Sequence, residues 1–283
     1  MKAAELYAKL DSDFIKQGLT DDWTSWIGDE LLGFASVNWK ARMMGLFIDN
    51  NTDEVANVFT AVFPSDKVIS ELLNKKVKNT VLFTHHPMVW DINRKEVFSG
   101  ASKKLLLKLK AKNISVYTLH VPLDDYGLNS TGVTLAQALD LRPVDKFGLY
   151  YGAYAGVIAS SVFKTVKELA DKMQLVLGHN VKVYNYGSAD INHERVAIVA
   201  GGGLTETINE LVKLKVKVLV TGISVLNDFS KEAHNLAKEN KITIIGGTHY
   251  STEKFACIKM CSYFKKLKLH SEFIEDFPCM NDL

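Results

Sequence analysis

Cysteine is scarce: Cys257, Cys261 and Cys279 are the three in 283 residues. They are too few and too clustered for a disulfide framework, and an odd number of thiols fits a reducing compartment, so a cytoplasmic protein is expected. Five prolines leave no proline-rich linker, and no low-complexity segment or short-period repeat is visible. No run approaches the ~20 consecutive apolar residues that a membrane-spanning helix needs. The N-terminal stretch MKAAELYAKLDSDFIK is interrupted by charges every few residues and lacks the apolar core of a signal peptide. A soluble chain with no membrane partner is the expectation. Charge of one sign is lacking too, with 34 Lys plus Arg against 32 Asp plus Glu and a formal net charge of +2, so nucleic acid is not an expected partner. Neither a Ser-His-Asp elbow nor a Walker loop is present.

What is present suits a globular chain, 47% hydrophobic and 23% charged, able to bury a sizeable core. Short Val-, Ile- and aromatic-rich runs alternate with helical patterns, the rhythm of an α/β protein. The strand candidates are Met43 to Ile48, Thr80 to Thr84, Ile114 to Leu119, Gly156 to Ala159, Arg195 to Ala200, Lys217 to Val220 and Lys241 to Ile245. Ser102 to Lys112, Thr205 to Lys215 and Ser230 to Glu239 read as crossover helices between parallel strands. The stretch Arg142 to Tyr154 holds Pro143, Gly148 and Gly152, which places a domain division near residue 147 and gives domains of 1–147 and 148–283.

Three segments carry the chemistry. In VLFTHHPMVW, His85 and His86 stand where a strand ends, the edge at which open α/β sheets bind ligands. Because adjacent strand residues point to opposite faces, the pair is expected to flank two ions rather than chelate one; loop histidines of no special role are the alternative. In ISVYTLHVPLDDYGLN, His120 ends the next strand and Asp124 follows four residues on, with a turn or helix-capping role as the alternative for Asp124. In KITIIGGTHYSTEKFACIKM, His249 and Glu253 are spaced to share one helical face, unless Ser251 or Thr252 starts the helix and Glu253 merely complements its dipole. Each segment puts a histidine at the carboxyl end of a strand, and four histidines with two carboxylates fall short of the roughly eight donors of two tetrahedral ions. Positions left open for water or substrate point to a catalytic centre.

With HHP at His85 to Pro87, HxxLD at His120 to Asp124 and HYxTE at His249 to Glu253, in that order, the chain resembles the dinuclear metal centre hexameric proteins, the GTP cyclohydrolase I type 2 homologues. The resemblance covers most of the chain. It implies two related α/β domains with a dinuclear metal site in the cleft between them, and assembly as a toroidal homohexamer. It makes His85, His86, Asp124, His249 and Glu253 the ligands of two divalent ions, with Glu253 able to bridge. Zinc or iron suits that mixed N and O set best, with manganese or nickel next. It gives His120 a substrate-facing or ligand-orienting role in which it can move a proton, making it the candidate catalytic residue. The activity implied is that of a metal-dependent hydrolase, a metal-bound hydroxide attacking a small anionic or nucleotide-like substrate. A non-catalytic hexameric scaffold for metal binding or regulation is the alternative. After Asp124 the chain reads DDYGLNSTG, shorter than the corresponding segment of many relatives.

Weaker signals remain. Gly201 to Gly203 form either a tight strand-to-helix turn or an anion-facing loop. Cys257, Cys261 and Phe264 share a helical face and read as core. His179, His193, His234 and His270 lack the strand-end placement and are expected at the surface. Trp23, Trp26 and Trp39 suit packing or an oligomer contact.

Overall fold

The computed structural model describes residues 1–191, 195–203 and 205–283. His193 therefore lies outside the described residues. Among the described residues the strands are, in chain order, β1 (Gly45–Ile48), β2 (Asn57–Ala61), β3 (Thr80–Thr84), β4 (Val89–Trp90), β5 (Phe98–Ser99), β6 (Ser115–Thr118), β7 (Arg142–Tyr150), β8 (Ala153–Ser160), β9 (Lys182–Tyr184), β10 (Arg195–Gly202), β11 (Val218–Ile223), β12 (Thr243–Gly246) and β13 (His270–Phe273). The chain divides into two compact units, Met1–Leu123 with Cys257–Phe277, and Asp124–Ala256 with Pro278–Leu283. Each has its own sheet and helices, a mixed α/β architecture.

Position 147 falls inside β7, in the second unit. The Pro and Gly residues around it belong to a hairpin. Tyr151 and Gly152 join β7 to β8 with φ of 48° and 87°, the two positive values of a type I′ turn, whose twist matches that of the strands it connects.

The first unit holds a sheet of order β1-β6-β3-β2-β13. β1 runs antiparallel to β6, and the other four are parallel. β3 and β6 are buried along their whole length, which explains why they read as unbroken apolar runs rather than alternating ones. The expected crossover helix between them spans Lys103–Ala111 and buries Leu105, Leu106 and Leu109. Helix Asp66–Asn74 links β2 to β3, started by Ser65, whose Oγ accepts the Val68 N–H at 3.1 Å. In this core Trp39 is fully buried, with the Phe47 ring centroid 4.6 Å away. Cys257, Cys261 and Phe264 are buried as expected.

The second unit holds the sheet β7-β8-β10-β11-β12-β9. β10, β11 and β12 are parallel, β8 and β9 run antiparallel to them, and β7 is antiparallel to β8. The two expected crossover helices are Thr205–Leu214 and Lys231–Glu239. Helix Val166–Leu177 opens with a capping box from Thr165 and Glu168 and closes at Gly178, φ 79°. His234 is not at the surface as expected but 4% exposed, on the buried face that its helix shares with Ala233 and Ala237. No helix among the described residues is long and apolar enough to cross a membrane.

Candidate metal centre

In the first unit the site begins at the carboxyl edge of two parallel strands. Thr84 pairs with Thr118 at the last register position of β3 and β6, and their hydroxyls lie 3.1 Å apart. The next residues on either chain segment are His85, His86 and Leu119, His120. Parallel pairing through a crossover helix thus puts the two sequence motifs side by side.

The rings of the histidine pair lie close to each other and to a third. Their ring centroids are 4.3 Å apart, and one ring nitrogen from each of His85, His86 and His120 lies within 4.8 Å of the others. β3 stops at Thr84, and the His85 and His86 rings lie beside that of His120 at centroid distances of 5.4 and 4.8 Å. His85 is fully buried and His86 1% exposed. The N–H groups of these two residues still donate, to Ala61 O at 3.2 Å at the end of β2 and to Val62 O at 3.0 Å just past it.

The ring hydrogen bonds fix which nitrogen can ligate. His85 Nδ1 lies 2.8 Å from the Leu119 carbonyl oxygen. A carbonyl only accepts, so the hydrogen is on Nδ1 and the lone pair is on Nε2, the tautomer that metal-ligating histidines adopt. His120 Nδ1 lies 3.0 and 3.1 Å from the two carboxylate oxygens of Asp21. Trp23, 3% exposed, sets its ring against His120 at a centroid distance of 5.0 Å and against His86 at 5.9 Å. Neither Asp21 nor Trp23 was marked as a site residue by the sequence, because no periodicity or motif links them to a strand 99 residues away.

In the second unit His249 and Glu253 open the helix that follows β12. His249 Nε2 lies 3.2 Å from Glu253 Oε1, and the residues are 6% and 3% exposed, so the i, i+4 spacing brings the two donors together. The capping alternative fails on position. The helix starts at His249, not at Ser251 or Thr252. Thr248 Oγ1 accepts the Ser251 N–H at 3.1 Å, and Ser251 Oγ accepts the Thr248 N–H at 3.0 Å. Glu253 is then past the first turn, where the helix dipole fades. The His249 N–H donates to Asp282 Oδ2 at 2.9 Å, a second anchor for this end of the helix.

Glycine shapes the wall behind Glu253. Gly201, next to last in β10, has φ 73°, and a Cβ there would collide with Glu253 Oε1. The Gly201 N–H donates to Thr252 Oγ1 at 3.0 Å and the Gly203 N–H to Thr221 Oγ1 at 3.1 Å. Both amides are committed inside the protein, so this is a tight turn, not an anion-facing loop. Gly222 is equally constrained, since a Cβ there would run into the Gly201 carbonyl and Thr252 Oγ1.

Asp124 is 8% exposed and accepts the Thr131 hydroxyl at 2.6 Å through Oδ1. It does not cap the following helix, whose N-cap is Ser130. Burial of an ionised carboxylate costs several kcal/mol unless its oxygens are bonded or face a cation, and the Thr131 hydroxyl is one such partner. Buried imidazole and carboxylate groups able to bind metal are therefore present, and the mixed N and O donors fit zinc, iron, manganese or nickel.

A family model described as Duf34/NIF3 (NGG1p interacting factor 3) matches residues 29–277. A protein of Pyrococcus horikoshii named GTP cyclohydrolase 1 type 2 homolog is 27% identical over 254 residues, 88% of this chain and 94% of the relative. A protein of the same name from Methanocaldococcus jannaschii is 30% identical over 234 residues, 82% of this chain and 88% of the relative. The solved structure of protein ybgI, described as of unknown function, superposes with a TM-score of 0.74 at 20% identity, covering 98% of this chain and all of the other.

Proposed function

The chain belongs to the Duf34/NIF3 family, and from that premise and its buried donors we propose that it is a dinuclear metal-dependent hydrolase. His85, His86, Asp124, His249 and Glu253 hold two divalent ions, zinc or iron in first place, with Glu253 as the bridging candidate. The observation that carries this reading is the hydrogen bond from His85 Nδ1 to the Leu119 carbonyl, which leaves Nε2 beside His86 and His120 in the orientation of a metal ligand. Bound ions would supply Lewis acidity and lower the pKa of water toward neutrality.

The chain's own residues supply the rest. His120, with a side chain 13% exposed and braced on Asp21, moves the proton. Thr131 orients Asp124, and Thr252 with Gly201 holds the turn against Glu253. The substrate class is small and anionic or nucleotide-like, supported by charge complementarity to a divalent pair and by the GTP cyclohydrolase 1 type 2 homolog name of the relatives. The assembly that goes with this reading is a homohexamer.

One observation favours a second reading. The five ligand residues are at most 8% exposed, and a donor set so enclosed also suits a scaffold that stores metal or carries it as a regulatory element without turnover.

Elemental analysis of untagged protein decides the first point, comparing wild type with His86→Ala and Glu253→Ala and recording the solution mass of each. About two metals per chain in wild type, reduced in both variants with the assembly intact, is the expected result. A metal-free wild type that resists reconstitution overturns the proposal. Turnover of phosphoesters, nucleotides or cyclic amides by the loaded protein, lost in His120→Ala, separates the enzyme from the scaffold.

A further inference from the structure

Asp21 and Trp23 come from the segment that precedes the family-matched region, which begins at residue 29. The Asp21 side chain is 1% exposed. Its carboxylate accepts the Asp22 N–H at 2.9 Å and receives His120 Nδ1 at 3.0 and 3.1 Å. A buried carboxylate of this kind is tolerated only where donors meet it, and one of its two donors is the imidazole.

An ionised carboxylate can only accept, so the shared hydrogen belongs to His120 Nδ1 and the lone pair to Nε2. Any bond His120 makes to an ion, a water or a substrate then runs through Nε2. The ring has one further restraint from the same short stretch. Trp23 packs against it at an interplanar angle of 62° and against His86 at 85°, so one tripeptide sets both the tautomer of His120 and the plane of its ring. His85 reaches the same tautomer by a different partner, a backbone carbonyl. The carboxylate gives His120 something that a carbonyl does not: a full negative charge that favours the Nδ1–H form and raises the basicity of Nε2.

We propose that Asp21 is a positioning residue for His120, fixing the Nε2-basic tautomer, and that the Asp21 to Trp23 stretch is a working part of the histidine cluster in this chain. The proposal rests on the role given to His120 above. A hydrogen bond to a charged acceptor favours one tautomer by about 10- to 100-fold over the other.

The test is the nitrogen-15 spectrum of histidine-labelled full-length protein at about pH 8, where histidine is neutral, recorded as purified and again after chelation. The His120 signals are assigned by their loss in His120→Gln. Wild type is expected to carry the hydrogen on Nδ1. Asp21→Asn, whose amide can offer the ring an N–H, is expected to abolish or reverse that preference, and Asp21→Glu to keep it. A wild-type spectrum with the hydrogen on His120 Nε2 overturns the proposal whether or not the Asp21 variants fold. So does an Asp21→Asn spectrum identical to wild type. Metal content of the same wild-type sample tests the dinuclear reading separately, because the tautomer is legible whether or not the chain holds an ion.

Discussion

A single added methyl group measures how tightly Glu253 is held. Gly201 has φ 73° and sits against Glu253 Oε1, whereas Gly178 has φ 79° and open space around it. Alanine at either position bears the cost of left-handed backbone, about 1–2 kcal/mol. Gly201→Ala alone must also displace the carboxylate. The two variants should lose similar stability in urea, and after loading with zinc Gly201→Ala alone should retain less of it. Equal zinc retention would mean that Glu253 is not held by this wall. At this scale the three histidine-bearing segments were legible because His85, His120 and His249 each follow closely on the end of a recognisable apolar run. Asp21, Thr131 and Asp282 were not, since a hydrogen-bond partner chosen by tertiary contact leaves no local periodicity.

At the scale of the element, the buried parallel strands and their crossover helices are the most legible parts of the sequence. β3, β10, β11 and β12 read clearly because full burial demands continuous apolar runs. β7 escaped because it is an edge strand, mostly exposed, with Pro143 near its start, and an edge tolerates a composition that looks like a linker. β13, read from HSEF, is four residues of mixed character whose pairing with β2 is decided by the rest of the sheet. The β7–β8 hairpin has a correctable flaw. Tyr151 occupies the first left-handed position of its type I′ turn, where Asn is strongly preferred. Tyr151→Asn should stabilise the second unit by a few tenths to about 1 kcal/mol, read as a higher urea midpoint, and an unchanged or lower midpoint would show that the tyrosine ring contributes more than the strain it bears.

For the whole molecule, His234 contributes to the loss of stability just below neutral pH. His234 donates from Nε2 to the Ser224 carbonyl at 2.9 Å and faces the Tyr186 hydroxyl at 3.0 Å and the Tyr184 ring. Burial pushes its pKa below the ordinary histidine value of 6.5. As the pH falls below that value the unfolded chain takes up a proton that the folded chain refuses, so the stability linked to His234 is full above it and is lost toward the lower folded pKa. His234→Gln should flatten the loss of urea stability between about pH 7.5 and pH 5.5; equal losses in the two proteins would remove His234 as a cause.

The sheet that carries the three histidines also sets an order of events during synthesis. β13 pairs in parallel with β2, so that sheet lacks its edge until residues 270–273 have left the ribosome, whereas every strand of the second sheet lies between residues 142 and 246. The later-encoded unit can close its hydrogen-bonded ladder while the earlier one still waits for a partner more than 200 residues downstream. His85, His86 and His120 thus stand on a sheet whose far edge, β13 on β2, is the last of its strands to be made.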